Sequence, residues 1–197
     1  LLEGHFYPLL AATKAGDVDA MALLLDGGAA VDQAKDGATS LFIACQNGHV
    51  DAARMLLDNG AEVDRATKDG QTPLFAACSN GRVDAARLLL ERGAGVDQAD
   101  ETGWTPLMSV CRTGPVEAVE LLLKHNADVS RATRGSGSTP LHIACRSAQV
   151  DAARLLLDFG ADVDQTRKDG TTSLRTACKH GHVDVAQLLL GLSLIHI

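Results

Sequence analysis

The chain has 197 residues, of which 46% are apolar and only 3% aromatic, and its 25 acidic and 18 basic residues give a net charge of −7. Proteins that bind nucleic acids normally carry a basic surplus that displaces counterions from phosphates, so this charge disfavours DNA and RNA as partners. No apolar run approaches the roughly 18 residues that a membrane-spanning helix requires, and no signal-peptide pattern opens the sequence. We therefore expect no membrane insertion.

Glycine returns along the chain at a nearly fixed interval. The steps are 33, 33, 34 and 33 residues, between Gly37, Gly70, Gly103, Gly137 and Gly170. Cysteine keeps the same interval, at Cys45, Cys78, Cys111, Cys145 and Cys178. A period of this size is typical of stacked-repeat proteins, which bind along an extended face rather than in one deep pocket.

Each repeat is predicted to begin with a tight turn and a short helix, as the unit near residue 70 illustrates. Asp69-Gly70 is a turn dipeptide, because glycine accepts the positive φ that such turns require. Thr72 is the predicted N-cap, and Pro73 occupies the first helical position. The first helix then runs to about Ser79 and buries its apolar side chains.

A second helix is predicted to follow in the same unit. Gly81 breaks the first helix, and Asp84 lies in the first turn of the second, where it complements the helix dipole. Val83, Ala86 and Leu89 fall on one face at helical spacing. Gly93 supplies the left-handed residue that ends the helix. Each helix is too short to be stable alone, so neighbouring units must stabilise one another.

These residues carry a family resemblance. The segment Thr139-Pro140-Leu141-His142-Ile143-Ala144 contains the complete T-P-L-H-x-A signature, and the chain resembles the ankyrin-repeat family over nearly its whole length. The resemblance implies an all-α fold, an ankyrin-repeat solenoid of stacked helix-turn-helix units joined by β-hairpin-like turns. The predicted array covers 1–191, with a partial repeat at 5–33 and repeats at 34–66, 67–99, 100–132, 133–166 and 167–191. Residues 192–197 are predicted to be a non-repeat tail that reflects truncation or adaptor-derived sequence.

The repeats depart from the family pattern at several positions. Only His142 keeps the motif histidine, which is replaced at Phe42, Phe75, Met108 and Arg175. Asn126 stands where glycine usually ends a helix, and asparagine is the next-best left-handed residue. Ala148 occupies the inter-helix position that is filled elsewhere by Gly48, Gly81, Gly114 and Gly181. If this position has a positive φ, alanine there costs about 1 kcal/mol. The repeat at 133–166 also carries one extra turn residue, so we expect it to be the weakest.

The cysteine spacing argues against disulfides and metal. Equivalent positions in neighbouring repeats lie on adjacent helices whose axes are about 8–10 Å apart, whereas a disulfide requires Cα atoms within roughly 4.4–6.8 Å. Zinc ligands come in close pairs such as C-x₂-C, and the chain has none. We interpret all five cysteines as buried core residues. Free thiols favour a reducing, intracellular location, cytoplasmic or nuclear.

No pattern in the sequence indicates catalysis, a metal site or a cofactor. The G-x-S-x-G, H-E-x-x-H and phosphate-binding loop motifs are missing. His180-Gly181-His182 offers two imidazoles without a third ligand nearby, and His182 matches His49 of an earlier repeat, so we interpret both as structural. We expect no enzymatic activity within these residues.

The family resemblance implies partner contacts at turn tips and exposed inner-helix positions along a concave face. Trp104 is the only tryptophan and lies in line with Arg112, a composition typical of binding hot spots. Its alternative role is packing on its own hairpin. The predicted contact residues are Trp104, Arg112, Thr113, Glu101, Lys68, Gln71, Ser79, Asn80, Lys35, Gln46, Asn47 and Arg146. The same rule extends to Lys168, Asp169, Thr171, Lys179 and His180 in the last repeat.

The resulting prediction is a monomeric protein–protein interaction module or scaffold. Alternating lysine and aspartate at the turn tips predicts little net field, so specificity would depend on shape and on the central repeat. An alternative remains open, in which the array is the regulatory or targeting segment of a larger enzyme or channel. Function inferred from fold alone does not identify the partner.

Overall fold

The protein is described by a computed structural model that covers residues 7–193, and over that range it forms twelve α-helices and no β-strand. The all-α prediction is therefore confirmed. The helices are α1 Pro8–Ala15, α2 Val18–Asp26, α3 Ser40–Asn47, α4 Val50–Asp58, α5 Pro73–Ser79, α6 Val83–Glu91, α7 Pro106–Thr113, α8 Val116–Lys124, α9 Pro140–Arg146, α10 Val150–Asp158, α11 Ser173–His180 and α12 Val183–Ser193.

The described residues divide after Gly95 into two compact units. In the first unit, α1, α3 and α5 pack side by side in one layer, and α2, α4 and α6 form a second. The second unit repeats this arrangement with α7, α9 and α11 in one layer and α8, α10 and α12 in the other. Because most helices have only seven to nine residues, burial between neighbouring pairs must stabilise them. Below, the first helix of each pair is the inner helix and the second is the outer helix.

A threonine begins the inner helix of five pairs. Each hydroxyl accepts a hydrogen bond from the backbone N–H three residues later, which satisfies one of the free donors at a helix start. For example, the distance from Phe75 N to Thr72 Oγ1 is 3.2 Å. Proline follows the threonine in α5, α7 and α9. The N-cap threonines are Thr39, Thr72, Thr105, Thr139 and Thr172.

The residue between inner and outer helix is left-handed in most pairs. Asn126, which ends its helix, is left-handed as predicted, with a φ of 63°. Ala148 has a φ of 58°, so the condition stated for its backbone cost is met. Gly114 differs, with φ −82° and ψ 162°. The residue before a proline is pushed towards extended backbone, and Pro115 follows Gly114. Glycine is still required there, because a Cβ at this position would lie 2.7 Å from Cα of Val110.

Four of the five cysteines are buried as predicted. Burial raises the pKa of Cys45 and of Cys145 to about 12, and it raises the pKa values of Cys78 and Cys111 as well. The prediction is wrong for Cys178, which is exposed on α11. In the described range no further helix pair packs beyond α11 and α12, so nothing covers this position.

Aspartate side chains join successive repeats in a way that the sequence did not indicate. Each accepts a backbone N–H from the repeat that follows it. At the next equivalent position the chain has Ser130, which has no carboxylate. There Gln165 Nε2 donates a hydrogen bond to the backbone carbonyl oxygen of Ser130 at 3.4 Å. The three bonds run from Glu62 N to Asp32 at 3.1 Å, from Gly95 N to Asp64 at 3.0 Å and from Asp128 N to Asp97 at 3.1 Å.

The two ends of the predicted array are described only in part. The outer helix α12 continues to Ser193, two residues into the predicted tail. Positions 194–197 of that tail, and positions 5 and 6 of the first predicted repeat, lie outside the described residues.

Candidate functional site

In each unit, a turn and the inner helices beside it line a cleft together. The cleft of the first unit has a volume of about 470 Å³ and is lined by α1, by α3 and by the turn at 35–38. The cleft of the second unit has a volume of about 460 Å³ and is lined by the end of α9, by α11 and by the turn at 167–171. We call the side of each unit that carries the turns and inner helices its inner face.

Some of the predicted contact residues come together at these clefts. Lys35, Gln46 and Asn47 all line the first cleft, where lysine is exposed and the two amides are half-buried. Arg146 lines the second cleft and is exposed. Within each unit, turn tips and inner-helix ends therefore lie on one surface.

Trp104 contacts two residues of its own inner helix. Its indole Nε1–H donates a hydrogen bond to Ser109 Oγ at 3.0 Å. The guanidinium carbon of Arg112 lies 5.4 Å from the ring centroid, which is cation–π distance. Trp104 is half-buried, so it packs on its own repeat and still leaves part of the ring accessible.

Ser109 is a residue that sequence reasoning missed. It is buried on α7, and its hydroxyl is the acceptor that orients the indole. The available signal was its position, because the equivalent residues Ile43, Ala76 and Ile143 are apolar, and Thr176 is the other polar residue there. A polar substitution in the repeat that also contains the only tryptophan indicates a matched pair.

The turn that carries Trp104 is closed by Asp100. One carboxylate oxygen of Asp100 accepts the backbone N–H groups of Thr102 at 2.8 Å and of Trp104 at 2.9 Å. Glu101 is exposed at the tip, and its carbonyl oxygen accepts a bond from Arg134 Nη1 at 2.9 Å. The position of the tryptophan is therefore fixed by its own turn and by contacts to the next one.

The remaining predicted residues of the first unit combine exposure with local bonding. The backbone of Gln71 closes its turn: its carbonyl oxygen accepts the N–H of Thr67, and its N–H donates to Thr67 Oγ1. The neighbouring Lys68 side chain is exposed. Ser79 Oγ and Asn80 Nδ2 both donate to the carbonyl oxygen of Ala76, at 3.1 and 2.8 Å. These last two therefore also cap α5. In the second unit, Thr113 is exposed at the end of α7.

The motif histidine joins the last two repeats. Backbone N–H of Thr139 donates to Nδ1 of His142, so Nε2 carries the proton and donates to the carbonyl oxygen of Thr171 at 3.0 Å. Burial lowers the pKa of His142; the bond to Thr171 opposes this shift, and the charge of Arg167 adds to it. The lowered pKa favours the neutral imidazole.

Sequence comparison agrees with this architecture. A family model described as "Ankyrin repeats (3 copies)" matches residues 3–67, 62–133 and 131–196, which together are nearly the whole chain. The chain belongs to the ankyrin-repeat family. No curated protein matches it. Ankyrin repeats are generally protein–protein interaction modules, and the fold is typically non-catalytic.

The histidine pair of this ankyrin-repeat protein takes part in structural contacts. Nδ1 of His180 lies 2.9 Å from the carbonyl oxygen of Thr176, and Nε2 of His182 lies 3.0 Å from that of Arg146. The two rings stack with centroids 5.9 Å apart. Over residues 7–193 there is no group of three or more histidine, cysteine or acidic side chains that could hold a metal ion. In the same range, no helix combines the length and the apolar composition that a bilayer crossing requires.

The second cleft of the ankyrin-repeat protein carries an uneven charge that the sequence analysis did not predict. Its lining includes a single carboxylate, Asp169, against four cationic side chains. Two of the four, Arg167 and Arg175, were not among the predicted contact residues. The replacement of the motif histidine by Arg175 was the available signal. The four cationic residues are Arg146, Arg167, Arg175 and Lys179.

Proposed function

We propose that this ankyrin-repeat protein is a non-catalytic interaction module or scaffold that binds a partner protein on its inner face. The observation that carries the proposal is the Trp104–Arg112 pair, an aromatic ring and a guanidinium 5.4 Å apart next to an inner-face turn. Tryptophan and arginine are the residue types most enriched at binding hot spots. We therefore assign them the central partner contacts.

Preorganisation supports this assignment. The bond to Ser109 and the turn closed by Asp100 hold the indole in one position before any partner arrives. Ordering a side chain on binding costs about 0.5–1.5 kcal/mol, and a ring that is already fixed avoids most of that cost. The partly exposed ring then offers apolar area, and Arg112 offers hydrogen-bond donors beside it.

Each unit carries further proposed contact residues on its own inner face. In the second unit, which contains Trp104, they are Glu101, Thr113 and Arg146. In the first unit they are Lys35, Gln46 and Asn47, which share a cleft, together with Lys68, Gln71, Ser79 and Asn80. We further propose that the array acts as a monomer. Its free cysteines favour a reducing compartment, the cytoplasm or the nucleus.

The substitution Trp104→Gln tests the proposal. Glutamine is the residue at the equivalent Gln71, so the turn already accepts it in another repeat. We expect the proteins captured by the wild-type chain from a cell extract to bind the variant at least about fivefold more weakly, a loss of about 1 kcal/mol. Quantitative mass spectrometry of the captured proteins measures this loss.

Glu117→Gln is the matched control, because Glu117 is exposed on α8, the outer helix of the same repeat. We expect this variant to capture the same proteins as the wild type. Circular dichroism checks that both variants keep their helices. If the capture pattern survives every inner-face substitution, or is lost equally with Glu117→Gln, the inner-face assignment is wrong.

A further inference from the structure

The cleft at the end of the second unit gathers cationic side chains from three segments. Arg146 comes from the end of α9, Arg167 from the turn before α11, and Arg175 and Lys179 from α11 itself. The last two are four residues apart and therefore lie on one helix face. All but Arg167 are exposed at the cleft, so their charges are accessible to a ligand.

The local charge is only weakly compensated. Hydrogen bonds from the side chain and the backbone N–H of Thr171 lower the pKa of Asp169, and the backbone N lies 3.0 Å from Oδ1. Its other oxygen lies 3.8 Å from Nη1 of Arg167, a long ion pair. One carboxylate therefore faces four cations, in a chain whose net charge is −7.

Arg167 also retains an unused donor. Its side chain is 27% exposed, and among the described residues its Nε is buried and has no hydrogen-bond partner. A buried donor without an acceptor is unfavourable, and more so when the group is charged. Because Nε itself is buried, a ligand in the cleft would contact the exposed part of the Arg167 side chain.

We infer that this cleft binds an acidic segment of a partner protein, in which aspartate or glutamate carboxylates pair with the arginine side chains. Guanidinium groups bind carboxylates through two parallel hydrogen bonds, and three of the four cations are arginines. The cleft volume of about 460 Å³ lies within the range of sites that hold a few side chains. The inference rests on the proposed interaction function and adds the chemistry of the partner.

A nucleic acid is the weaker candidate for the same cleft. Its phosphates extend well beyond four cations, and the remaining surface of a chain with 25 acidic residues would repel them. A short acidic peptide segment places its charge only where the cations are. Charge complementarity therefore favours a carboxylate-rich segment of a protein.

The test uses the full chain and a fluorescent hexaglutamate peptide, with a hexaglutamine peptide as the neutral comparison. Fluorescence anisotropy measures binding. We expect the glutamate peptide to bind, the glutamine peptide not to bind, and the affinity to fall as salt screens the charges. The double variant Arg175→Glu with Lys179→Glu should weaken binding by about tenfold or more, equivalent to at least about 1.4 kcal/mol.

Two further double variants make the result interpretable. Arg87→Glu with Arg154→Glu changes the net charge equally but on the outer helices α6 and α10, and it should bind like the wild type apart from a small uniform loss. Arg175→Met with Lys179→Gln installs the residues found at the equivalent Met108 and Gln46. It replaces the charge-reversal pair if that variant fails to fold, and it should also weaken binding.

Several outcomes would overturn the inference. In the first, the wild type does not bind the glutamate peptide at all, or it binds the glutamine peptide or a short poly-dT oligonucleotide as tightly or more tightly. In the second, the outer-helix variant Arg87→Glu with Arg154→Glu loses as much affinity as Arg175→Glu with Lys179→Glu. Each of these results contradicts the inference. The capture experiment with Trp104→Gln tests the proposed function separately, because Trp104 does not line the cleft. If the wild type does not bind the glutamate peptide but Trp104→Gln still weakens capture from the extract, the inference is wrong and the proposed function stands.

Discussion

At the scale of single residues, Ala148 is held in a conformation that suits glycine. Its φ is 58°, in the left-handed region, where a side chain costs about 1–2 kcal/mol. Glycine also gives the unfolded chain more conformational freedom, which lowers stability by about 0.4–1 kcal/mol and offsets part of the gain. We expect Ala148→Gly to raise the free energy of unfolding by about 1 kcal/mol in urea denaturation.

Gly181 provides the control for Ala148, because it stands at the equivalent position of the last helix pair. Its φ is 73°, and a Cβ added to it would meet no atom within 4 Å. Gly181→Ala therefore isolates the backbone cost and should lower the free energy of unfolding by about 1 kcal/mol. If both variants shift stability in the same direction, the conformational explanation fails.

His142 should make stability depend on pH. Its pKa is lowered by burial, so between the folded pKa and the unfolded value of about 6.5 the unfolded chain binds more protons. The contribution of the neutral imidazole is complete above about pH 6.5 and is lost as the pH falls through that value towards the folded pKa.

His142→Phe measures this dependence, because phenylalanine is the residue at the equivalent Phe42 and Phe75. Urea unfolding between about pH 7 and pH 5 should show a shallower loss of stability for the variant than for the wild type, since the histidine that prefers its neutral state has been removed. The other histidines remain in both proteins. Equal slopes would mean that His142 titrates in the folded state as it does in the unfolded one.

The sequence predicted most of the residues whose conformation depends on their immediate neighbours in the chain, and it did not predict those that depend on contacts with distant segments. Thr72 and Asn126 were predicted because helix caps and left-handed positions follow from residue type and place in the repeat. Gly114 was not, because the proline after it overrides the pattern. The role of Ser109 was not predicted, because its hydrogen bond with Trp104 depends on where the indole ring lies in the folded chain. The charged cleft requires three segments to converge, which no repeat pattern shows.

At the scale of elements, the aspartate bonds between repeats should contribute measurably to stability. Both carboxylate oxygens of Asp97 lie within 3.2 Å of the backbone N of Asp128. Hydrogen bonds to charged groups contribute about 1.5–3 kcal/mol when buried, and this pair is half-buried. We expect Asp97→Ala to lower the free energy of unfolding by about 1–2 kcal/mol.

Asp164→Ala is the matched control for Asp97, since Asp164 has the same place in a later repeat and is exposed. A surface substitution of this kind usually changes stability by less than about 0.5 kcal/mol. Urea denaturation of both variants under the same conditions measures the difference. Equal losses would show that the cost comes from the turn itself and not from the bond to the next repeat.

At the scale of the whole molecule, no single repeat should fold alone. The predicted repeat at 67–99 contains α5 and α6, with seven and nine residues, and an isolated helix becomes marginal only at about 12–15. Its largest apolar side chains, Leu74 and Leu89, are fully buried, and within the first unit α5 packs on α3 and α6 on α4. Removing the neighbouring repeat exposes the apolar face that these helices share with it.

We therefore expect a peptide of residues 67–99 to show little helix by far-ultraviolet circular dichroism. A fragment of residues 34–99 should show more helix per residue, and residues 7–95 should unfold cooperatively, because each added repeat covers an apolar face and about three repeats are needed for stability. The helical signal should thus rise faster than chain length. A peptide of residues 67–99 that melts cooperatively would mean that the repeat buries enough apolar area by itself, and the dependence on neighbours would then be wrong.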